Sequence, residues 1–320
     1  MLTITDPIGE PQMTKPVLLQ LSGYPAWDET PLAEAFEVVA LHKDPSVLAA
    51  VGPRVRGIAT NGGLGVPAEV FAACPKLEIV AIYGVGYDAV DLDLCRARGI
   101  RVTNTPDVLT EDCADLAVGM LLALARGIVK AEAHARGPWK QGAFPLQRRV
   151  AGMKVGILGL GRIGAAVAER LSGFGCDLAY SARRPKDNGM TFVADPVALA
   201  ARSDALIVTT LSNAETRHIV GPQVLAALGP EGFLVNISRA ACIDEEALLA
   251  ALEAGGIAGA GLDVFEGEPH LNPRFLALSN VVLQPHHASG TVETRKAMGA
   301  LMRANLTAHF AGQPLPSAVV

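Results

Sequence analysis

Short runs of β-branched and apolar residues alternate along the chain with alanine- and leucine-rich stretches, the order expected of parallel strands joined by crossover helices. In the first third, Val17 to Gln20, Glu37 to Leu41, Ile58 to Thr60, Leu77 to Ile82 and Arg101 to Thr103 read as strands. Helices are predicted between them around Pro31 to Phe36, Asp44 to Ala50, Pro67 to Ala73 and Asp88 to Arg98. A single long helix is predicted from about residue 111 to 136, with Thr110 and Asp112 near its start and Gly137-Pro138 at its end. A second series opens with the strand Lys154 to Leu158 and the helix Ala165 to Phe174. It continues through strands at Asp177 to Tyr180, Thr191 to Val193, Ala205 to Leu211, Phe233 to Asn236, Gly259 to Val264 and Val281 to Leu283. That is enough for a six- or seven-stranded doubly wound sheet. The helix Val292 to Phe310 follows a series already complete, so it is expected to return to the first domain.

Composition agrees with an α/β protein of two domains. The 320 residues are 50% hydrophobic and 18% charged, and one core stops growing at roughly 250 to 300 residues. A net charge of -5 gives no broad positive field for a polyanion, so nucleic acid is not an expected partner and small-molecule chemistry moves forward. The five cysteines, Cys74, Cys95, Cys113, Cys176 and Cys242, lack C-x-x-C spacing; they read as buried thiols in a reducing cytoplasm, with no disulfide framework and no metal site. Met1 to Gln12 lacks a basic start and a signal-length apolar stretch and reads as a loose tail. The most apolar segment, Leu116 to Ala125, is too short for the roughly 20 residues of a bilayer span. No membrane association is expected.

Two glycine turns compete for one label. Gly159-Leu160-Gly161-Arg162-Ile163-Gly164 follows a strand and opens a helix, the context in which G-x-G-x-x-G binds a dinucleotide. Gly159 permits the tight turn, Gly161 lets the backbone approach a pyrophosphate at the helix N-terminus, and Gly164 allows helix to pack on strand. Tyr83-Gly84-Val85-Gly86-Tyr87-Asp88-Ala89 also follows a strand and fits G-x-G-x-x-A, but its next strand ends in Asn104-Thr105-Pro106, with no acid or base to read a ribose. It is assigned a smaller anion, a carboxylate held by the amides of Val85 and Gly86.

Cofactor choice turns on the end of the second strand, where an acid would hydrogen-bond the ribose hydroxyls of NAD. The chain offers Ser181-Ala182-Arg183-Arg184-Pro185-Lys186. A hydroxyl followed by guanidinium groups suits a 2'-phosphate, so NADPH is expected over NADH, with Ser181, Arg183 and Arg184 as its ligands.

Three further motifs lie at later strand ends: Asn236-Ile237-Ser238-Arg239, then Gly261-Leu262-Asp263-Val264-Phe265-Glu266-Gly267-Glu268-Pro269, then Gln284-Pro285-His286-His287-Ala288-Ser289-Gly290-Thr291. With the glycine turn, Gly84-Val85-Gly86-Tyr87-Asp88 and Leu109-Thr110-Glu111-Asp112-Cys113-Ala114-Asp115, they resemble the D-isomer-specific 2-hydroxyacid dehydrogenases over nearly the whole chain, and most of all the NADPH-dependent glyoxylate/hydroxypyruvate reductases. The resemblance implies catalysis by Arg239, Glu268 and His286. The chemistry agrees: a guanidinium holds the carboxylate of a 2-oxo acid and polarises its ketone, an imidazole protonates the developing alkoxide, and a carboxylate orients that imidazole and favours its protonated form. The resemblance also carries cofactor contacts onto Thr110, Thr216, Ile237 and Asp263, the last beside the nicotinamide carboxamide. Ala240 stands where the family commonly has glycine, and Ser212 where proline is common. His286 is preferred to His287 because it directly follows Pro285, and neighbours in an extended segment point opposite ways.

The family architecture implies two Rossmann-like domains with doubly wound parallel sheets and the active site in the interdomain cleft. A discontinuous substrate domain is expected from 1 to 104 and 287 to 320, and the nucleotide domain from 105 to 286. Leu64 and Tyr83 are expected to wall the substrate together with Trp139, which in some relatives reaches the neighbouring subunit's pocket in a homodimer. Glyoxylate and hydroxypyruvate are the expected substrates, reduced to D-2-hydroxy acids. The alternatives are a phenylpyruvate-type dehydrogenase and, from a different class, a nucleotide-sensing module without turnover.

Overall fold

The computed structural model describes residues 15–320, and the stretch Met1 to Gln12 expected as a tail lies outside them. The described residues divide into two compact units, 15–106 with Arg295–Val320, and Asp107–Thr294.

The first unit holds five parallel strands, β1 (Val17–Gln20), β2 (Glu37–Ala40), β3 (Val55–Asn61), β4 (Ile79–Tyr83) and β5 (Arg101–Thr103), in the order β2-β1-β3-β4-β5. Central strands buried on both faces need continuous apolar runs, which β1 and β4 supply with every position buried. The first helix runs Ala26–Ala35, earlier than the proline at 31 suggests. Leu32 and Asp28 are both fully buried, Asp28 paired with Arg303, and this packing overrides the preference of proline for a first helical position. The closing helix Val292–Phe310 serves this unit through that pair, through His309 to Glu78 at 3.2 Å and through Phe310 against Phe36.

The second unit is a seven-stranded parallel sheet. Its strands are β6 (Lys154–Leu158), β7 (Asp177–Ser181), β8 (Thr191–Phe192), β9 (Ala205–Val208), β10 (Phe233–Asn236), β11 (Gly259–Leu262) and β12 (Val281–Leu283), in the order β12-β11-β10-β9-β6-β7-β8. Counted from β6, this is the doubly wound order in which the first strand lies between the second and the fourth. The crevice beyond its carboxyl end is therefore the topological switch point. Leu206, Leu234, Ala260 and Val208 sit in one core with Leu248, Leu249 and Phe275 from the covering helices.

The long helix predicted over 111 to 136 is two helices, Thr110–Ala125 and Ile128–Arg136. Gly127 between them takes φ +58°, a left-handed conformation that glycine adopts without steric cost, so the chain turns there. All five cysteines are free, four of them buried and Cys176 half-buried. Among the described residues no helix is long and apolar enough to cross a membrane, and no cluster of His, Cys, Asp or Glu is arranged to hold a metal.

Candidate active site

The glycine turn leaves β6 at the switch point and runs into the helix Arg162–Ser172. Gly159 takes φ +99°, and its Cβ would meet the Thr210 backbone at 2.6 Å; a Cβ on Gly164 would lie 2.2 Å from the Gly159 carbonyl, which also accepts the Thr209 hydroxyl. The same substitution at Gly161 meets nothing within 4 Å. The turn is thus packed solid on its inner side and open at Gly161, the fit a dinucleotide's pyrophosphate needs beside helix amides. Leu160 is buried, Ile163 half-buried, and Arg162 lies exposed with Nε 2.6 Å from Asp107 Oδ1.

At the end of β7 the residues expected to read the ribose separate. Arg183 and Arg184 are exposed, but Ser181 is buried and its hydroxyl donates to the Ala194 carbonyl at 3.1 Å. Ser181 thus binds the strand to the chain beside it. Lys186 was not among the predicted ligands, yet its ammonium donates to the Leu160 carbonyl inside the glycine turn.

The catalytic candidates come from the ends of β10, β11 and β12. Asn236 is buried; its carbonyl oxygen accepts from the Ser238 amide at 3.0 Å and its amide group donates to the Arg239 carbonyl at 3.0 Å, which fixes the backbone that presents Arg239. Arg239 also donates from Nη1 to the Ser238 carbonyl at 2.8 Å. Beyond β11, Glu268 accepts the Phe265 amide on Oε1 at 2.8 Å, and its Oε2 lies 2.6 Å from His286 Nδ1. Burial works against the charged form of Glu268. The His286 hydrogen bond, the Phe265 amide and the charges of His286 and Arg239 outweigh it, holding the carboxyl below its usual range.

Asp263, expected at the nicotinamide carboxamide, is fully buried and accepts the His287 amide at 2.6 Å and the Ala288 amide at 3.0 Å, one on each oxygen. It holds the histidine loop in place. Desolvation raises its pKa even against those two hydrogen bonds. The loop is not extended, contrary to the expectation from sequence: His286 has φ +52°. His287 packs over Gly290, where an added Cβ would fall 2.1 Å from its Nε2, while His286 faces Glu268. The two imidazoles are told apart by these partners rather than by strand alternation.

Thr216 ties its own loop, donating to the Leu211 carbonyl at 2.6 Å and accepting the Asn213 amide at 2.9 Å. Thr110 begins the helix Thr110–Ala125, and Ile237 is buried beyond β10. Trp139 is 67% exposed.

In the first unit the turn after β4 opens no helix; the next one, Leu92–Arg98, starts six residues past Gly86, capped by Asp91. The Gly84 carbonyl accepts the Thr105 amide and the Val85 carbonyl accepts the Asn104 side chain, both at 2.8 Å. Gly62 packs against this turn, its Cβ position 2.5 Å from the Gly86 carbonyl. Leu64 is 45% exposed, on a loop whose amides donate to Asn61. Tyr83 is placed differently from the wall the sequence suggests. It is buried against Tyr24, with its hydroxyl donating to the Arg295 carbonyl at 2.7 Å, so it supports the turn from within its own unit.

A seven-stranded doubly wound sheet, a dinucleotide turn at its switch point and an Arg, Glu and His brought to neighbouring strand ends define a nicotinamide-dependent dehydrogenase. Residues 118–288 match the family described as D-isomer specific 2-hydroxyacid dehydrogenase, NAD binding domain, and the chain belongs to this family. It is 49% identical over 275 residues to a hydroxyphenylpyruvate reductase of Plectranthus scutellarioides, covering 85% of this chain and 88% of that one. A solved 2-hydroxyacid dehydrogenase from Ketogulonicigenium vulgare is similar with TM-score 0.90 and 59% identity over 96% of this chain and 99% of that one. So is an NADPH-dependent glyoxylate/hydroxypyruvate reductase from Sinorhizobium meliloti in complex with NADP and malonate, with TM-score 0.91 and 44% identity over 96% and 97% of the two chains. The protein is therefore an NAD(P)-dependent 2-hydroxyacid dehydrogenase, and the alternative of a sensing module without turnover is set aside.

Proposed function

We propose that this chain is an NADPH-dependent reductase of glyoxylate and hydroxypyruvate, forming the D-2-hydroxy acid. The observation that carries the catalytic reading is the 2.6 Å pair between His286 Nδ1 and Glu268 Oε2 on a loop held by Asp263. A nicotinamide, when bound, supplies the hydride. His286 gives a proton from its other nitrogen to the developing alkoxide, and Glu268 orients the ring. Arg239 holds the substrate carboxylate and polarises the ketone, a role suited to a planar fork of donors. In the reverse direction neutral His286 accepts the hydroxyl proton.

The cofactor is held by the turn Gly159, Leu160, Gly161, Arg162, Ile163 and Gly164, with contacts from Thr110, Thr216 and Ile237, while Asp263 supports the loop that carries His286. Its 2'-phosphate meets Arg183 and Arg184, whose side chains stand exposed at the end of β7. The amides of Val85 and Gly86 bind the substrate carboxylate, and Leu64 forms an apolar wall. The NADPH-dependent reductase from Sinorhizobium meliloti supports both the coenzyme and the substrate assignment. The protein works as a homodimer: Ile128, Val129, Trp139 and Leu146 are large, exposed and apolar within one short stretch, the kind of surface a second copy covers. Trp139 then lies near the partner's substrate. Five free thiols fit a reducing cytoplasm.

A second reading, reduction of an aromatic 2-oxo acid, is favoured by the 49% identity to a hydroxyphenylpyruvate reductase. Steady-state consumption of NADPH and of NADH with glyoxylate, hydroxypyruvate and hydroxyphenylpyruvate separates these readings. The highest kcat/KM is expected with NADPH and one of the two small acids. A preference for hydroxyphenylpyruvate would install the second reading, and a preference for NADH would remove the coenzyme assignment.

A further inference from the structure

The loop beyond β7 contains three cations, and only one of them is fixed. Arg183 and Arg184 make no hydrogen bond or ion pair with any described residue. Lys186 is tied at both ends. Its amide donates to the Tyr180 hydroxyl at 2.6 Å, and that hydroxyl donates to the Lys186 carbonyl at 3.1 Å. Tyr180 is fully buried and packs against Phe192, the ring centroids 5.5 Å apart and the planes tilted by 54°, so a core phenol sets the position of an exposed loop residue. From there the Lys186 ammonium reaches the Leu160 carbonyl within Gly159-Leu160-Gly161.

An ammonium carries three donors, and one is engaged by Leu160. The remaining two lie between the glycine turn and the end of the second strand, the place where this fold presents a ribose. A 2'-phosphate there carries nearly two negative charges at neutral pH, and lysine binds phosphate as a compact point charge. A ribose hydroxyl offers that charge nothing comparable. Holding Lys186 in advance also removes much of the side-chain entropy that a free lysine loses on binding.

We propose that Lys186 is a specificity-determining residue of the cofactor site, its anchored ammonium binding the 2'-phosphate of NADPH, with buried Tyr180 as the positioning residue that aims it. This rests on the NADPH reading above. It differs from that reading in giving discrimination to the fixed lysine ahead of the two unfixed arginines.

The test is calorimetric binding to the full chain, without turnover, of NADP+, NAD+, adenosine 2',5'-bisphosphate and 5'-AMP. The parent should favour NADP+ over NAD+ and the bisphosphate over the monophosphate. Lys186→Met should weaken the two 2'-phosphorylated ligands by about tenfold to a hundredfold and leave NAD+ and 5'-AMP within about twofold, the scale of one charged hydrogen bond. Lys186→Arg should restore most of the preference. Tyr180→Phe should reduce it by a smaller factor, with no further loss when combined with Lys186→Met. Equal weakening of all four ligands by Lys186→Met would mean the lysine only braces the glycine turn, and unchanged NADP+ binding would remove it from the site; either overturns the proposal. A parent that binds NADP+ and NAD+ equally would instead defeat the NADPH reading, and the proposal with it.

Discussion

Two turns in this chain open with the same G-x-G spacing, and they are built differently. The one after β6 drives straight into the eleven-residue helix Arg162–Ser172 and leaves open space at its middle glycine. The one after β4 enters a helix-free stretch up to Asp91, and it lies so near Gly62 that a Cβ there would fall 2.5 Å from the Gly86 carbonyl. A helix directed at the turn brings a partial positive charge and a row of unpaired amides, which suits a diphosphate. A turn without the helix offers only its own few amides, which suits one carboxylate. The shared pattern therefore carries little information until the element following it is known.

Substitutions sharpen the contrast, beginning with the largest effect. Gly159→Ala places a methyl 2.6 Å from the Thr210 backbone at φ +99°, so it should destabilise the protein by several kcal/mol and reduce soluble yield. Gly161→Ala meets open space and should leave the thermal midpoint within about 2 °C while weakening cofactor binding about tenfold or more. Gly62→Ala presses on the other turn and should raise KM for the 2-oxo acid with cofactor affinity unchanged. Cofactor titration and substrate kinetics on the last two variants form a cross. If Gly62→Ala weakened the cofactor and Gly161→Ala spared it, the two turns would have exchanged roles.

Next comes the double variant Arg183→Ala, Arg184→Ala. It should weaken NADPH by about tenfold, less than Lys186→Met, since neither arginine is held by the protein. Unchanged coenzyme preference in a fluorescence titration would remove both from phosphate recognition.

The smallest effect concerns pH. Glu268 is held below its unfolded value, so its contribution to stability is present above about pH 4.3 and is lost as pH falls through the lower folded value. Glu268→Gln should therefore melt about 1–3 °C below the parent near pH 7, and the gap should close under acid conditions. The size is modest because the pair is partly exposed. A gap that widened in acid would contradict the assigned ionisation.

Much of the fold is legible in the order of residues alone. The strands of both sheets follow from continuous apolar runs, because parallel strands covered on both faces leave no room for alternation, and β1, β5, β6, β10 and β12 fall where the pattern puts them. The dinucleotide turn is legible because its glycines answer a steric need. The break at Gly127 is not: Ala125 and Ile128 continue an apolar period across it, and the left-handed backbone that Gly127 adopts between the two helices shows only in the structure. Contacts between distant positions are equally hidden. The buried Asp28 pairs with Arg303, 275 residues away, and nothing local marks either one. At the site, Asp263 and Tyr83 are recognisable as important but not as supports, since residue type does not say which way a side chain faces. Lys186 could have been found from its place in the run Arg183-Arg184-Pro185-Lys186, but the anchoring by Tyr180 is a tertiary fact.

The central claim is that the imidazole paired with Glu268 moves the proton. It is met most directly by a single-turnover experiment that follows loss of reduced nicotinamide absorbance on mixing NADPH-loaded enzyme with excess glyoxylate, for the parent and for His286→Gln. The account predicts NADPH binding within about twofold for the two proteins and a rate at least ~100-fold lower in the variant. Equal single-turnover rates would contradict it.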